Sequence, residues 1–178
     1  MADVGYKKPT NQIVVAGKPL EQFVRVENAT NMYPGRLVIQ GTNDDDALIA
    51  GVFAINSMAI GWLGYEQMQK KDRPATVDTI HVVNAQAPVL NGGHFVVVAA
   101  LQASQGTLKK GEALIMGTDG CVAKATMQKI TASGAGNITD AQDVGAGTLP
   151  AGGPIVAYAE ETVTDIASIV DIMVRSMI

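Results

Sequence analysis

The eight residues Gly35-Arg-Leu-Val-Ile-Gln-Gly-Thr42 return later in the chain as Gly111-Glu-Ala-Leu-Ile-Met-Gly-Thr118. Each copy is a short apolar run that leads through Gly-Thr into an acidic turn, at residues 43–46 in the first copy and 119–120 in the second. Glycine permits the positive φ of a tight turn, and Asp or Asn side chains bond back to the turn backbone. The repetition therefore predicts one β-hairpin that is used twice.

Short strands separated by turn residues continue along the rest of the chain. Alternation with a period of two marks residues 23–27 and 170–175, and the strongest apolar run is residues 95–101. Residues 76–83 read as another strand, and the best candidate for a helix is residues 57–71. About nine or ten such strands predict an all-β fold, or a mainly β fold with one short helix, built as a small β-barrel or sandwich.

The beginning of the chain differs in composition from the rest. Residues 1–22 are polar, contain Pro9 and Pro19, and have too little apolar area to fold alone. We expect them to form an extended N-terminal arm and residues 23–178 to form one β-rich domain. Within this domain, the Gly- and Ala-rich stretch at about 131–153 predicts a long excursion. The first residues lack the apolar segment of a signal peptide, so secretion by the usual route is not expected.

Composition limits the classes of function. Only 17% of the residues are charged, against roughly 25% in an ordinary soluble domain, which favours a surface partly buried against copies of the chain or another protein. The net charge of −4 argues against nucleic-acid binding. Residues 47–65 carry no charge, but their glycines and the central Asn56-Ser57 favour two short strands over a membrane span. We therefore expect neither a membrane nor a nucleic-acid partner.

No pattern of catalytic or metal-binding residues stands out. His81 and His94 have no cysteine or carboxylate at ligand spacing, and no serine lies in a G-x-S-x-G elbow. The acidic residues 44–46 offer oxygens to calcium but lack the ligand spacing of an EF-hand. The single Cys121 fits a small buried hydrophobe. We therefore expect a protein that is not an enzyme and has no catalytic residue, cofactor or metal.

Trp62, Leu63 and Tyr65 form the main aromatic segment, with glycines beside them. Such side chains either fill the core of their own protein or anchor an interface, where Trp and Tyr supply much of the binding energy. Both interpretations stay open at this point, and the core is the favoured one.

A series of short strand and turn motifs also recurs in a known family. In this chain the motifs are Gly61-Trp-Leu-Gly-Tyr-Glu66, Pro74-Ala-Thr-Val-Asp-Thr79, Asn91-Gly-Gly93, Lys110-Gly-Glu-Ala-Leu114, Thr118-Asp-Gly120 and Ile155-Val-Ala-Tyr-Ala-Glu-Glu161, followed by the strand at 169–174. With these motifs, residues 24–178 resemble the small capsid decoration (cement) proteins of tailed viruses, which are bacteriophages and archaeal viruses. The chain departs from the simplest members by its longer polar N terminus and by the stretch at 131–153.

The resemblance implies a homotrimer without catalytic activity that binds the outside of an expanded icosahedral capsid. Its partner would be the major capsid protein, and the trimer would bridge neighbouring capsomers. The protein would be made in the host cytoplasm and located in the virion. The arm would add a strand to an exposed sheet edge of the coat protein. The predicted capsid-contact residues of the arm are Tyr6, Lys7, Lys8, Ile13, Val14 and Val15.

Two other classes of function remain open. A fibre, surface-layer or carbohydrate-binding β domain would carry an exposed aromatic platform, and binding to a glycan array would reveal it. An enzyme would join His81 or His94 to a carboxylate in a deep pocket.

Overall fold

The computed structural model describes residues 7–51, 57–65, 69, 73, 76–125, 153–164 and 166–178 of the chain. These residues form an all-β protein with one 3₁₀ turn at Thr118–Gly120, which confirms the predicted fold class. The strands are β1 (Val14–Ala16), β2 (Leu20–Val26), β3 (Leu37–Gln40), β4 (Asp46–Ile49), β5 (Ala59–Leu63), β6 (Gln86–Asn91), β7 (Val96–Leu101), β8 (Ala113–Met116), β9 (Val122–Lys124), β10 (Ala157–Ala159) and β11 (Val170–Ser176).

Strands β2 to β6 close into a first barrel, barrel 1, in the order β2-β4-β3-β5-β6. The predicted alternation of β2 is confirmed, because Val24 and Val26 are buried while Phe23 and Arg25 are exposed. The interior is filled by apolar side chains, most of them small or branched, namely Val24, Val26, Met32, Val38, Ala47, Leu63, Ala87 and Val89. A barrel of so few strands is filled by its own side chains, so its interior offers no room for a ligand.

Strands β7 to β11 form a second barrel, barrel 2, in the order β7-β11-β10-β8-β9. One parallel pair, Leu101 with Val122, closes this barrel between β7 and β9. Strand β11 pairs with β7 along the whole of one edge, and β9 pairs only with the end of the other edge. The rest of that second edge is available to β1, which pairs Val14 with Val97. Every residue of β7 is buried, as its continuous apolar run predicts.

The two barrels share one connectivity. Counted in chain order within each barrel, the first strand (β2 or β7) pairs in parallel with the third (β4 or β9). The other four pairs are antiparallel in both barrels: second with third, second with fourth, fourth with fifth, and fifth with first. The register agrees as well: the N–H of Gly35 donates to the carbonyl of Leu63 at 2.7 Å, and that of Gly111 donates to the carbonyl of Ala159 at 2.7 Å. The chain is therefore an internal tandem repeat, of which the sequence reveals only the hairpin.

The repeated hairpins, β3–β4 and β8–β9, agree as far as their tips. In barrel 1 the N–H of Thr42 donates to Glu27 Oε2 at 2.7 Å, and in barrel 2 the N–H of Thr118 donates to Gln102 Oε1 at 3.0 Å. Glycine precedes these threonines because the acceptor passes close to the backbone; a Cβ at Gly117 would lie 2.5 Å from Gln102 Oε1. The recurring Gly-Thr pair thus reflects a hydrogen bond that the threonine N–H donates to the side chain directly after the first strand of each barrel.

One row of side chains on the outside of barrel 1 holds the two barrels together. Leu37, Trp62 and Leu90 lie side by side on β3, β5 and β6, and all three are fully buried. Their neighbours along each strand fill barrel 1, whereas these three join the core of barrel 2. The indole Nε1–H of Trp62 donates to Ser176 Oγ at 2.9 Å, which ties β5 to the end of β11.

Three segments differ from the sequence-based prediction. Within the predicted helix at 57–71, residues 59–63 form β5, because β3 and β6 pair with its two edges, and residues 66–68, 70 and 71 lie outside the described residues. Residues 76–83 form turns and no strand, since a closed barrel has no free edge to offer them. Strand β6 escapes prediction because it contains Pro88, and proline is depleted in central strands. Proline has no N–H to donate, but the carbonyl of Pro88 accepts the N–H of Gly64 at 3.0 Å.

The predicted boundary of the arm differs as well. Residues 20–22 begin β2 of barrel 1, and Val14–Ala16 form β1 on barrel 2. The charge-free stretch at 47–65 contains most of β4 and all of β5, as the predicted pair of strands requires, while residues 52–56, at the predicted join, lie outside the described residues. The stretch at 131–153 lies outside the described residues, apart from its last residue.

Replacing Trp62 by alanine should lower the free energy of unfolding by about 3–5 kcal/mol, because a fully buried indole and its hydrogen bond are lost together. Urea unfolding followed by circular dichroism measures the change. The matched control is Tyr158→Ala, since Tyr158 holds the corresponding position in barrel 2 and is only half-buried. A loss for Trp62→Ala no larger than for Tyr158→Ala would contradict the role of Trp62 in joining the barrels.

Candidate functional site

The aromatic segment, with Trp62 and Leu63 on β5 and Tyr65 just after it, is buried. Trp62 and Leu63 are fully buried, and Tyr65 is 4% exposed. Leu63 fills barrel 1, whereas Trp62 joins the core of barrel 2. Burial of these three side chains within the chain is what the core interpretation expects.

His81 packs against Tyr65 in the connection between β5 and β6, with ring centroids 4.8 Å apart. The imidazole is buried, and its Nε2 has no hydrogen-bond partner in the part of the chain that the structure describes. Burial lowers the pKa of His81 below its ordinary value. Tyr65 donates its hydroxyl to the carbonyl of Thr79. His81 is thus a packed part of this connection, while His94 is exposed.

The residues on either side of His81 form an exposed apolar turn. Ile80, Val82 and Val83 are 37%, 67% and 48% exposed, although all three are large and apolar. The backbone N–H of His81 donates to the carbonyl of Met32 at 2.9 Å, and its ring is held by Tyr65. Because these contacts hold His81 against the protein, the side chains of Ile80 and Val82 on either side of it are exposed to solvent. We call residues 80, 82 and 83 the apolar turn.

The outer face of β2 is the second exposed surface of barrel 1. Glu21, Phe23 and Arg25 point away from the barrel interior, and Phe23 is 54% exposed. Leu20, at the start of the strand, is 67% exposed. Exposed aromatic and aliphatic side chains of this kind mark contact surfaces when they are grouped. We call residues 21, 23 and 25 the β2 wall.

A polar cleft of about 460 Å³ opens where the two barrels meet. Asn31, Tyr33 and Arg36 of barrel 1, Asp78 of the β5–β6 connection and Asp171 of barrel 2 line it. Loss of surrounding water raises the pKa of Asp171, and the charge of Asp78 raises it further. Neither histidine lies among the described residues that line the cleft, so the carboxylate–histidine pair expected of an enzyme is not found there.

The polar side chains of the cleft are engaged in the junction between the barrels. Arg36 Nη1 donates to the carbonyl of Asp119 at 2.6 Å and to Cys121 Sγ at 3.0 Å, and its guanidinium lies 5.6 Å from the ring centroid of Tyr33. Asn31 Nδ2 donates to Asp119 Oδ1 at 3.0 Å. Cys121 is buried, as predicted, and burial raises the pKa of its thiol. These contacts indicate a structural role for the barrel 1 side of the cleft.

The acidic tip of the first hairpin is engaged by protein groups. Arg25 donates to both carboxylate oxygens of Asp46, at 2.6 and 2.8 Å, and Asn43 Nδ2 donates to Oδ2 at 2.6 Å. These bonds lower the pKa of Asp46 from 3.8 to about 2. Asp44 and Asp45 are exposed. The residues that the structure describes contain no group of three or more His, Cys, Asp or Glu arranged to hold a metal ion.

The apolar residues of the predicted arm lie on barrel 2. Ile13 is fully buried in the core, and its carbonyl accepts the N–H of Val98 at 2.8 Å. Val14 and Val15 belong to β1 and are half-buried. The structure differs here from the predicted free arm, because β1 fills the edge of β7 that β9 leaves open. Contact of these three residues with a coat protein stays a prediction.

The basic residues of the predicted arm precede β1. Lys8 Nζ lies 3.0 Å from Glu161 Oε1 and donates to the carbonyl of Asp171 at 2.6 Å, so it is bound to barrel 2. Lys7 is exposed, and Tyr6 lies outside the described residues. A capsid contact through Tyr6, Lys7 or Lys8 also stays a prediction.

Comparison of the sequence with protein-family models and with curated proteins finds no match. Across the described ranges, no helix is both long enough and apolar enough to cross a membrane. The features of the molecule that bear on function are then the repeated barrels, the apolar turn, the β2 wall and the polar cleft.

Replacing Ile13 by alanine should lower the free energy of unfolding by about 2–5 kcal/mol, because a fully buried branched side chain leaves a cavity in barrel 2. Val15→Ala, in the half-buried strand β1 that follows Ile13, should cost clearly less. Urea unfolding of the full chain measures both. An unchanged stability of Ile13→Ala would show that this segment is a free arm in solution.

Acid should weaken barrel 1 through Asp46. Its pKa in the folded protein, about 2, lies below the ordinary 3.8, so its ion pair stabilises the fold above about pH 4 and loses that effect as the pH falls towards about 2. We expect Asp46→Asn to unfold at a lower temperature near neutral pH and to lose less on acidification than the wild type. Thermal unfolding followed by circular dichroism across this pH range measures both effects.

Asp44→Asn is the control for this pH dependence, since Asp44 is exposed on the same hairpin tip. It should follow the wild-type curve. An identical pH dependence of Asp46→Asn and the wild type would refute the role of the ion pair.

Proposed function

We propose that this protein is a structural virion protein that binds the outer surface of an icosahedral capsid as a homotrimer and stabilises the expanded shell by bridging capsomers. Its partner in this proposal is the major capsid protein, and no catalytic step is involved. It would be made in the host cytoplasm and reside on the outside of the virion. The resemblance of its strand and turn motifs to the decoration proteins of tailed viruses suggests this class.

The observation that carries the proposal is the apolar turn, on a chain in which only 17% of the residues are charged. Ile80, Val82 and Val83 are exposed on a segment that the buried His81 anchors. Exposed apolar area adds nothing to the stability of the fold, whereas its burial against another protein is favourable. A segment already held in place also loses little conformational freedom when it binds.

Repetition on a capsid makes weak individual contacts sufficient. A symmetric trimer presents the same surface at each of its subunits, and a capsid presents the same coat-protein surface around each of its symmetry axes. Once one subunit is bound, the others bind at a high effective concentration, which raises the overall affinity without any new contact. A protein that joins neighbouring capsomers in this way resists the outward pressure of a packaged genome.

The arrangement of β1 limits how the N-terminal segment can contribute. Residues 14–16 pair with β7 of their own chain, so their bonded edge cannot also add a strand to a coat-protein sheet. Tyr6 and Lys7 precede this strand and stay predicted contacts. We therefore propose the apolar turn as the main contact with the capsid.

Replacing both Val82 and Val83 by serine should reduce binding to undecorated capsids at least about tenfold, because two apolar side chains would no longer be buried at the contact. Co-sedimentation of purified protein with capsids of the same virus measures the effect. The matched control is Ile155→Ser, which removes a comparably exposed apolar side chain, 43% exposed, from barrel 2.

Light scattering should show the same oligomer for the wild type and for both variants. Wild-type protein that does not sediment with undecorated capsids would overturn the proposed function. Undiminished binding of the double variant would show that the apolar turn is not the contact.

A further inference from the structure

The buried histidine of barrel 1, His81, has a polar atom that the fold does not use. The residue is 8% exposed, and its ring nitrogen Nε2 has no hydrogen-bond partner among the described residues. A neutral imidazole carries one N–H donor and one bare acceptor, whereas the protonated ring carries two donors. Since buried polar groups of native proteins are nearly always hydrogen-bonded, an unpartnered one requires an explanation.

The corresponding position of barrel 2 shows that the fold itself needs no histidine there. Met32 and Leu108 are equivalent, because each lies three residues before the matching glycine of its barrel, and both are fully buried. The carbonyl of Met32 accepts the N–H of His81 at 2.9 Å, and the carbonyl of Leu108 accepts the N–H of Val163 at 2.8 Å. Val163 is therefore the counterpart of His81, and it makes the same backbone bond without a group that can take up a proton.

The groups around the imidazole offer no compensation for a positive charge. Tyr65 packs on the ring, and burial raises the pKa of its phenol, which therefore stays neutral. Met32 and Gly64 contribute backbone groups. Burial lowers the pKa of His81, and a hydrogen bond with the Gly64 backbone acts in the opposite direction. No charged side chain of the described residues contributes to this shift, and Asp78, the nearest acid along the same segment, lines the polar cleft.

We propose that His81 is an acid-sensitive switch: a proton taken up by its ring releases the connection that holds the apolar turn. The protonated ring is a buried charge without a counter-ion, which is far less favourable than the same charge in water. The charged form therefore favours a conformation in which the ring has left Tyr65 and reached solvent. Because His81 lies between Ile80 and Val82, the apolar turn loses its fixed position when the ring leaves.

The sign of the pH dependence follows from where the proton binds more tightly. The pKa of the buried ring lies below 6.5, whereas in the open connection the ring has its ordinary pKa of 6.5. The closed connection therefore keeps its full stability above about pH 6.5 and loses it as the pH falls below that value, towards the lower pKa of the buried ring.

The switch would regulate the proposed capsid contact, and in that respect the inference rests on the proposed function. An apolar turn that is held in place loses little conformational freedom on binding. A released turn must be ordered by the capsid itself, so it binds less tightly. Acid therefore weakens the contact.

Hydrogen exchange of the full chain, without capsids, tests the switch. The N–H of His81, bonded to the Met32 carbonyl, and the N–H of Asn84, bonded to the Val26 carbonyl at 2.8 Å, report opening of the connection. After correction for the exchange rates of unstructured amides, we expect their protection to fall by up to about tenfold from about pH 7.5 to about pH 5.5, the change for one group with an ordinary histidine pKa. The N–H of Val163 should keep its protection, because no histidine is buried beside its bond.

Two variants separate His81 from other titrating groups. His81→Val supplies the residue that barrel 2 carries at this position, and the protection of its Asn84 N–H should be equal at both pH values. The matched control is His94→Val, because His94 is the other histidine of the chain and is exposed; it should retain the wild-type pH dependence. The proposal is overturned by wild-type protection that does not change with pH, or by an equal loss of protection in His81→Val.

NMR titration of the histidine rings in the wild type gives a second test that needs no variant at position 81. The ring signals are assigned by comparison with His94→Val. The ring of His81 should take up its proton below the ordinary value of 6.5. Uptake at or above that value would show that burial does not oppose the charge and would overturn the switch.

The two proposals fail in different ways. Protein that binds capsids but shows pH-independent exchange at His81 retains the proposed function and refutes the switch. Protein that shows the pH-dependent exchange but does not bind capsids retains the switch and refutes the capsid role.

Discussion

Burial of Leu37, Trp62 and Leu90 between the two barrels is the contact on which the rest of the structure depends. Barrel 2 is closed between β7 and β9 by one parallel pair, so it depends on neighbouring segments to cover its core. The row from barrel 1 packs on that core, and β1 fills the remaining edge of β7 with Ile13 beneath it. The two barrels and β1 therefore form one hydrophobic unit, and removal of β1 or β11 would expose part of it.

Equivalent positions in the two barrels carry different residue types because their surroundings differ. At the parallel seam of barrel 1, Arg25 and Asp46 form an ion pair that remains in contact with water. In barrel 2 the corresponding residues are Ala100 and Cys121, and there the junction loop covers the seam. A buried ion pair costs desolvation, whereas small apolar residues do not. Phe23 stands at the register position of the buried Val98 of barrel 2 and is 54% exposed.

Sequence patterns were reliable where a residue's own neighbours decide the structure. The two Gly-Thr hairpins, the alternation of β2 and β11 and the buried Cys121 follow from turn chemistry and from the period of two. The sequence-based predictions fail where contacts with residues far away in the chain decide the structure. Pro88 is accommodated in β6 because its carbonyl is the group that bonds, and residues 76–83 lack a free edge with which to pair. The polar start of the chain gains its place from the open half of β7, which no local pattern shows.

The amino-acid sequence by itself determined the class of the fold and the positions of the tight turns, since glycine, Asp and alternating apolar residues act over a few bonds. It also separated the inner face of β2 from the face that bears Phe23. Only the tertiary structure decided that the hairpin repeat extends to two whole barrels, that Trp62 joins them, and that His81 is buried beside an exposed apolar turn. Strand register and the burial of an outer face depend on segments far apart in the chain, and sequence periodicity carries no information about which segments meet.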